Sequence, residues 1–298
     1  MPKSALFALA CLPLPACLPL IAAELKVDHA TVAGRDVQAM QRALQAAGLA
    51  CEYGGPHSNH ATEMALTSFP DGSYLEQIAI QPNADPAAVA AHEWHRQLQG
   101  DGGPCAWAVR PADLGAEITR LRAASIQVSD ARKNGRKRPD GAQIEWEAAQ
   151  VGAGNGNFFP FLIHDFTPRD RRAYPSGKPT TTDFTGVSKV VIGVKDLDAS
   201  IAQFRRAYGF PAPERQDDPD FGAKLAWFRD TPVVLATPLS SQSWLDARIR
   251  QFGETPCAFI LGAAHAMHVV HQPAMWFGKN IVWADSAKLG WHLGFEAR

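Results

Sequence analysis

The chain lacks an excess of charge of either sign. Its 298 residues contain 29 Lys and Arg against 30 Asp and Glu, a formal net charge of -1 at pH 7. Proteins that neutralise nucleic-acid phosphates usually carry a basic field, so nucleic acid is not an expected partner. The basic run 132–138 lies among Asn, Gly and Asp residues and is typical of a solvated loop. The alternative is a rim that attracts an anionic ligand.

The chain also lacks the short motifs of several enzyme classes. It contains no Gly-x-Ser-x-Gly elbow and no phosphate-binding loop, so the reaction classes that depend on them are not supported. Residues 92–95 read His-Glu-Trp-His, with the second His at i+3 instead of the i+4 of the HExxH zinc signature. We interpret them as part of a surface helix over 85–100 with Trp94 packed inward.

Cysteine is scarce, and no apolar run is long enough to span a membrane without interruption. Only Cys51, Cys105 and Cys257 follow the N-terminal segment. An odd number in an exported protein leaves at least one thiol unpaired. The apolar run 5–21 is short and contains prolines, which interrupt a membrane helix.

The first 23 residues have the layout of a secretory signal. Lys3 precedes the apolar run, and Ala22 and Ala23 precede the charged Glu24. We predict cleavage near Ala23 and export to the periplasm or the exterior, with no transmembrane segment after signal removal. Cys17 ends a segment that loosely resembles a lipoprotein processing box, so lipid anchoring at that residue is the alternative.

One pattern does recur along the chain. An apolar strand is followed by an acidic residue and by a helix whose apolar residues recur at the helical period. A small residue then ends the helix. The clearest copies begin at Val27 and Val187, and Asp36 and Asp196 stand at matching positions in them. Repetition of this kind indicates supersecondary modules that cannot bury their apolar faces alone. Paired modules enclose a shared cleft, where a ligand site is expected.

The runs that follow each predicted helix complete β-α-β-β-β modules. The Pro-Asp-Gly sequence at 70–72 lies between two β-rich runs and predicts a hairpin. A Pro-, Arg- and Thr-rich stretch, 168–185, has no apolar period and is interpreted as a linker. The modules are predicted at about 25–80, 105–166 and 187–237, with a degenerate fourth, and pair into domains 24–167 and 186–298.

Several short segments stand out along the chain: Val27-Asp28-His29, Gly54-Gly55-x-His57, Thr62, Asp71-Gly72-x-Tyr74-Leu75-Glu76 and Phe159-Pro160-Phe161-Leu162-Ile163. Together they resemble the glyoxalase-like members of the vicinal oxygen chelate superfamily. The likeness is most specific over roughly residues 26–166, and the C-terminal half is similar only in its modular pattern. The resemblance implies an α+β fold in which paired β-α-β-β-β modules form curved mixed sheets around a cleft, in two such halves.

The resemblance also implies a site on the first and fourth strands of the first module. His29 matches the first-strand metal ligand and Glu76 the fourth-strand ligand, with His164 as the most plausible further ligand. One divalent metal, Zn, Fe, Ni or Mn, suits imidazole and carboxylate. We expect His29, His57 and Glu76 to converge in one pocket. The candidate catalytic residues are Glu76 and His57, and the candidate substrate-binding residues are His29, His57, Thr62 and Trp107.

A second pair of ligands is not predicted. Alignment of the modules places Ala106 opposite His29 in the second module and Lys189 opposite it in the third, while Val234 or Leu235 stands opposite Glu76. This pattern favours a non-catalytic protein that binds and sequesters a small molecule as the alternative to an enzyme.

The predicted function is therefore that of an exported glyoxalase-like protein that binds a small molecule in the N-terminal cleft. If the protein is an enzyme, the resemblance implies metal-assisted lyase or isomerase chemistry through an enolate-like intermediate. An extradiol-type dioxygenase is a further alternative, because four modules in one chain occur there too. Lys189 stands where the first His of those enzymes is expected. The oligomeric state is left open.

Overall fold

The computed structural model describes residues 23–100, 102–152, 158–265 and 273–296. Residues 1–22, which carry nearly all of the predicted signal, lie outside the described residues, so export stays a prediction. Within the described ranges, no helix is both long enough and apolar enough to cross a membrane.

The first module begins with a buried strand and a capped helix. The carboxylate of Asp36 accepts hydrogen bonds from the amides of Gln38 and Ala39, as an N-cap does. Gly72 has a φ of 81° in the turn between the last two strands, a conformation that favours glycine. The elements are β1 (Val27–Ala33), α1 (Val37–Ala46), β2 (Glu52–Pro56), β3 (Thr62–Ser68) and β4 (Tyr74–Ile80).

The predicted helix over 85–100 is in fact two short helices. His92 has extended backbone, with ψ at 132°, which ends the first helix. The second module follows them, and the basic run 132–138 forms one of its strands instead of a loop. The elements are α2 (Pro86–Ala91), α3 (His95–Gln99), β5 (Gly103–Val109), α4 (Leu114–Ala123), β6 (Arg132–Lys137), β7 (Gln143–Ala149) and β8 (Phe161–Asp165).

The C-terminal half is joined to the first by a segment that contains a short helix, α5 (Arg169–Ala173). Its third module repeats the first, and Asp196 caps its helix through the amide of Ala199. The remaining elements are β9 (Phe184–Gly193), α6 (Leu197–Tyr208), β10 (Glu214–Asp218), β11 (Ala223–Trp227), β12 (Val233–Pro238), α7 (Trp244–Phe252), β13 (Pro256–Ala263), β14 (Ala274–Trp276), β15 (Lys279–Trp283), α8 (Ser286–Leu289) and β16 (His292–Glu296).

Each half forms one curved, mixed sheet of eight strands, and the two sheets have the same strand order. The orders are β2-β3-β4-β1-β5-β8-β7-β6 and β10-β11-β12-β9-β13-β16-β15-β14. The first strand of each module pairs in parallel with its fourth strand and antiparallel with the first strand of the partner module. The predicted fold class, paired β-α-β-β-β modules in two α+β halves, is confirmed.

The two halves share an apolar core. Val32 and Trp107 contribute to it from the first sheet, and Ile192 and Phe259 contribute from the second. Because successive side chains of a strand face opposite sides, the neighbouring residues of these strands face the other side of each sheet. That other side is where a cleft can form.

Candidate active site

A cavity open to solvent lies between the two modules of the N-terminal sheet. Its volume is about 120 Å³, comparable to the engineered cavities of about 150 Å³ that admit benzene. Its polar wall comes from the first module, with His29 on β1, His57 after β2, Thr62 on β3 and Glu76 on β4. The cavity therefore suits a small ligand or the reactive end of a larger one.

The second module supplies the opposite wall, to which its strands β7 and β8 contribute apolar side chains. Trp146 and Ala148 of β7 and Phe161 and Ile163 of β8 line the cavity there. Phe161 lies edge-on to the His29 ring, with the ring centroids 5.3 Å apart. A carboxylate that faces such a wall is poorly hydrated, which strengthens its electrostatic interactions with its neighbours.

Glu76 lies at the centre of the polar wall and is 5% exposed. The parallel register of β1 and β4 places Thr31 beside Glu76, and the Thr31 hydroxyl donates a hydrogen bond of 2.9 Å to Oε2. Two imidazoles flank the carboxylate: Nε2 of His29 is 3.5 Å from Oε2, and Nε2 of His57 is 3.6 Å from Oε1. The structure thus brings together the three side chains that were expected to share a pocket.

The His29 ring is fixed by the residue that precedes it. Its Nδ1 lies 2.5 Å from Oδ1 of Asp28, and because an ionised carboxylate can only accept, Nδ1 carries a hydrogen. The pairing of β1 with β5 shifts register between Val27 and His29, an irregularity of the kind that re-aims side chains. The ring also stacks on Tyr74 at 4.9 Å. His29 is thereby held with Nε2 toward Glu76.

Asp28 is fully buried, and arginines of α5 balance its charge. Nη1 of Arg169 is 2.6 Å from Oδ2 of Asp28, and Nη1 of Arg172 is 3.1 Å from Oδ1. Burial alone would raise the pKa of Asp28, but the two guanidinium charges and the hydrogen bond from His29 hold that pKa well below its usual range. The segment predicted as a linker therefore supplies the groups that keep Asp28 ionised.

His57 is held by the loop between β2 and β3. Its Nδ1 is 2.9 Å from Oγ1 of Thr62, and the side chain of Asn59 accepts a hydrogen bond from the Thr62 amide at 3.2 Å. Burial lowers the pKa of His57 to about 4, although the nearby Glu76 opposes the shift. His57 is therefore a neutral imidazole at pH 7.

Arg136 reaches the cavity from the basic run. Strand alternation buries its side chain, which is 2% exposed, while Lys133 and Lys137 on the same strand remain exposed. Burial lowers the pKa of Arg136 to about 10, so the guanidinium keeps its charge at neutral pH. Because the run is rich in charge throughout, no local pattern singled out Arg136.

The break between α2 and α3 brings three further residues to the cavity. His92, Glu93 and Trp94 all line it. The amide of Trp94 donates to Nδ1 of His92 at 3.1 Å, and burial lowers the pKa of His92. The His-Glu-Trp-His motif was set aside because its spacing does not fit a zinc helix, yet three of its residues contribute to the wall of the site.

Two of the predicted site residues lie elsewhere. His164 is exposed on the face of β8 opposite to its neighbour Ile163, and its ring contacts Phe166. Trp107 is fully buried in the core that the two halves share. The structure therefore does not place His164 beside Glu76. It also does not place Trp107 in the cavity.

The residues present do not fit a divalent metal held by protein side chains. Tight sites use three or four ligands, and the part of the chain that the structure describes has no group of three or more His, Cys, Asp or Glu side chains able to hold one. Phe161 and Ile163 occupy the wall where the second module would supply ligands. Arg136 adds positive charge to the same cavity, which opposes a cation.

The sequence profile of the glyoxalase-like domain matches residues 27–189, more than half of the chain. This match confirms the resemblance that was predicted from the motifs. No curated protein shows a significant match to the chain.

Among the solved structures similar to this chain, two share the fold over most of its length at low identity. A hypothetical protein from Staphylococcus aureus is 13% identical with a TM-score of 0.64, over 91% of this chain and 99% of that chain. A mutant of 4-hydroxymandelate synthase from Streptomyces coelicolor is 10% identical with a TM-score of 0.51, over 80% of this chain and 71% of that chain. A methylmalonyl-CoA epimerase variant from Streptomyces coelicolor, in complex with 2-nitronate-propionyl-CoA, is 19% identical with a TM-score of 0.33, over 38% of this chain and 93% of that chain.

Proposed function

Because the chain belongs to the glyoxalase-like domain family, we propose that its N-terminal cavity binds a small molecule and moves a proton to or from a carbon atom of that molecule. The observation that carries the proposal is the position of Glu76. Its carboxylate is buried beside an apolar wall, accepts one hydroxyl hydrogen bond from Thr31, and lies between the imidazoles of His29 and His57. A carboxylate in such a place is a candidate general base.

The proposed reaction is an isomerisation or elimination through an enolate-like intermediate. Glu76 removes a proton from the carbon next to a carbonyl, and one of the flanking imidazoles donates a hydrogen bond to the oxygen that becomes negative. In an isomerisation the Glu76 carboxyl then returns its proton to a carbon of the same molecule, and in an elimination the enolate expels a leaving group that takes up that proton. His57 suits this role because a neutral imidazole can carry hydrogen on Nε2 while Nδ1 accepts from Thr62. His29 is held by Asp28 and orients the carboxylate. None of these steps requires a metal.

The second candidate function is non-catalytic binding of the same small molecule. One observation favours it: the described residues offer no group of side chains that could hold the metal with which many superfamily enzymes act. A protein that sequesters its ligand needs the cavity and the hydrogen-bonding groups but not the base. The two functions therefore differ in what Glu76 does, and this residue decides between them.

Hydrogen exchange at carbon tests the proposal. The protein is incubated in D2O with small carbonyl compounds that carry acidic C–H bonds, such as 2-oxo acids and thioesters, and deuterium incorporation is followed by proton NMR. We expect the Glu76→Gln variant to lose about 10²- to 10⁴-fold in exchange rate, the range for loss of a general base.

Glu63→Gln is the matched control for Glu76→Gln. Glu63 lies on the neighbouring strand β3, and its carboxylate accepts from Tyr53 outside the cavity. We expect this variant to exchange at the wild-type rate. Binding of a compound without exchange, in wild type and Glu76→Gln alike, would instead establish the sequestering function.

We also propose that the protein acts outside the cytoplasm. The support is the arrangement of Lys3, the apolar run 5–21 and the Ala22–Ala23 pair. Mass spectrometry of protein recovered from the cell envelope should give a chain that begins near Glu24. An intact, unlipidated chain that begins at Met1 would contradict export by cleavage.

A further inference from the structure

We propose that Arg136 binds a carboxylate group of the ligand, so that the cavity takes a small carboxylic acid. This inference rests on the proposed function, since it names the substrate class of the same site. Among the described residues, three Arg and Lys residues are buried: Arg136, Arg172 and Lys189.

Two of these three cations have carboxylate partners within the protein. Arg172 pairs with Asp28 and with Asp165, whose Oδ1 is 2.9 Å from Nη1. Lys189 pairs with Glu296 of β16. Arg136 forms no ion pair within the described ranges. A buried charge without a counterion is costly, so an unpaired guanidinium at a cavity wall indicates an anionic ligand.

Arg136 is held rigidly by backbone groups. Its Nη1 donates to the carbonyl of Gly54, and its Nη2 donates to the carbonyl of Arg172 at 2.7 Å. A Cβ atom at residue 54 would lie 3.0 Å from Nη1 and 2.1 Å from Sδ of Met64, so a glycine allows this approach. A guanidinium has five N–H donors, and two backbone bonds leave others for a ligand.

The position of Arg136 relative to Glu76 suits a ligand that reaches both groups. The two side chains line the same cavity without forming an ion pair, yet the negative charge of Glu76 acts on Arg136. A bound carboxylate compensates Arg136, and the rest of the molecule extends toward the base. The bidentate fork of arginine matches the two oxygens of a carboxylate.

A carboxylate fits this site better than a phosphate ester. A phosphate monoester carries a charge of about -1.5 to -2 at pH 7, whereas the single uncompensated guanidinium supplies one positive charge. Glu76 lies in the same cavity of about 120 Å³, and it repels the excess negative charge of a dianion. The charge balance therefore selects a monoanionic group.

Paired probes test the inference. Binding of pyruvate and propionate, of their amides, and of inorganic phosphate is measured by calorimetric titration with wild type, Arg136→Gln, Arg136→Lys and Arg138→Gln. Arg138 is the matched control, since it is half-buried on the same run and forms an ion pair with Asp140. We expect wild type to bind the carboxylates more tightly than the amides, and Arg136→Gln to lose roughly 10- to 100-fold in carboxylate affinity, as for a hydrogen bond to a charged group.

Arg136→Lys should keep part of the preference, because it keeps the charge but not the fork. Arg138→Gln should bind as wild type does. Three results would each overturn the inference. Wild type could bind acids and amides equally, it could bind phosphate more tightly than the carboxylates, or Arg138→Gln could lose as much affinity as Arg136→Gln does. The first of these comparisons uses wild type alone, so it holds even if Arg136→Gln does not fold.

Failure of this inference and failure of the proposed function give different results. If carbon exchange depends on Glu76 but neutral compounds exchange as well as acids do, the function stands and the role of Arg136 is wrong. If carboxylates bind through Arg136 but no compound exchanges, the role of Arg136 stands and catalysis by Glu76 is wrong.

Discussion

The two halves of the molecule share one strand order but have different interiors. In the first half, Thr31 of β1 pairs with Glu76 of β4, while in the second half the equivalent pair is Val191 with Val234. The position of His29, seven residues before the capping Asp36, is occupied by Lys189, seven residues before the capping Asp196. The same backbone thus carries a polar wall in one half and an apolar one in the other.

Aromatic side chains fill the concave side of the second half. Val191 and Val234 belong to a cluster with Phe221 and Trp276, and the rings of those two aromatic residues are 5.0 Å apart. His292 stacks on a tryptophan of the same half, with centroids 4.1 Å apart. Such packing leaves little room for a ligand where the first half has its cavity.

The fold alone therefore does not create the site. Paired modules create a concave surface, and the side chains at a few strand positions decide whether that surface becomes a core or a cavity. The second half is a natural reference for the first, because its strands differ at those positions and keep the same topology. Substitutions that convert positions of one half toward the other therefore test what each side chain contributes.

The largest expected effect comes from a conversion at Glu76. In the Glu76→Val variant, position 76 of the first half has a valine, as the equivalent position of the second half, Val234, already does. We expect carbon exchange to fall by about 10²- to 10⁴-fold, since the proposed base is removed. We expect the free energy of unfolding to change little, because the loss of the hydrogen bond from Thr31 is offset by removal of the cost of burying a charge. Chemical denaturation and the exchange assay measure the two quantities. A large loss of stability would mean that Glu76 has a structural role.

The next effect is on stability and concerns Asp28. Asp28→Asn removes the fully buried one of the two carboxylates that Arg169 and Arg172 share, and leaves them only Asp165. We expect the free energy of unfolding to fall by about 3–5 kcal/mol, the range for breaking a buried ion pair. The matched change in the other half is Ser188→Ala, which removes a hydroxyl beside Glu296 and should cost about 1 kcal/mol. Equal losses in the two variants would contradict the role assigned to the Asp28 cluster.

Much of the fold follows from local sequence, because its signals are local. Asp36 and Asp196 cap helices through their own neighbours, and such contacts depend on few residues. His29, His57 and Glu76 were predicted from short segments that resemble the glyoxalase-like family, with strand alternation as added support for Glu76. In each case the information lies within one module.

The parts that could not be predicted depend on contacts between modules. Arg136 and Arg172 reach the site from β6 and α5, and nothing in their local sequence distinguishes them from exposed arginines. Trp107 was expected in the cavity, but β5 is buried on both faces, so its sequence has no alternation to show which face a residue takes. His164 directly follows Ile163, which lines the cavity, so its side chain faces the opposite side of β8.

Both halves should lose stability as the pH falls, and this effect on the free energy of unfolding should be smaller than that of Asp28→Asn. Burial lowers the pKa of both His57 and His292 to about 4. The unfolded chain takes up a proton on each His near pH 6.5, whereas the folded protein does so only near pH 4. Their contribution to stability is therefore present above pH 6.5 and is lost as the pH falls toward 4.

We expect His57→Gln and His292→Gln each to reduce this loss by on the order of 1 kcal/mol, in denaturation series measured between pH 7 and pH 4. His60→Gln is the control for both, because His60 is exposed at the loop between β2 and β3 and should leave the pH dependence as it is in wild type. A pH dependence unchanged in all three variants would show that neither buried imidazole carries the effect.

The smallest expected effect is that of a chelator, and it tests whether the two halves differ in metal binding. The second half has Lys189 and Val234 at the positions of His29 and Glu76, so no metal is expected there. In the first half, the imidazoles of His29 and His57 lie 3.5 and 3.6 Å from the Glu76 carboxylate. Among the described residues, however, no group of three or more such side chains is arranged so that it could hold a metal ion, and Arg136 opposes a cation. We therefore expect EDTA to change neither the melting temperature nor carbon exchange, and elemental analysis to find far less than one metal ion per chain. Stoichiometric metal, with a loss of exchange in EDTA that added Zn²⁺ or Mn²⁺ restores, would mean that His29, His57 and Glu76 rearrange around an ion. The Glu76→Gln variant would then lose the metal together with the activity, whereas a purely general-base role predicts loss of activity alone.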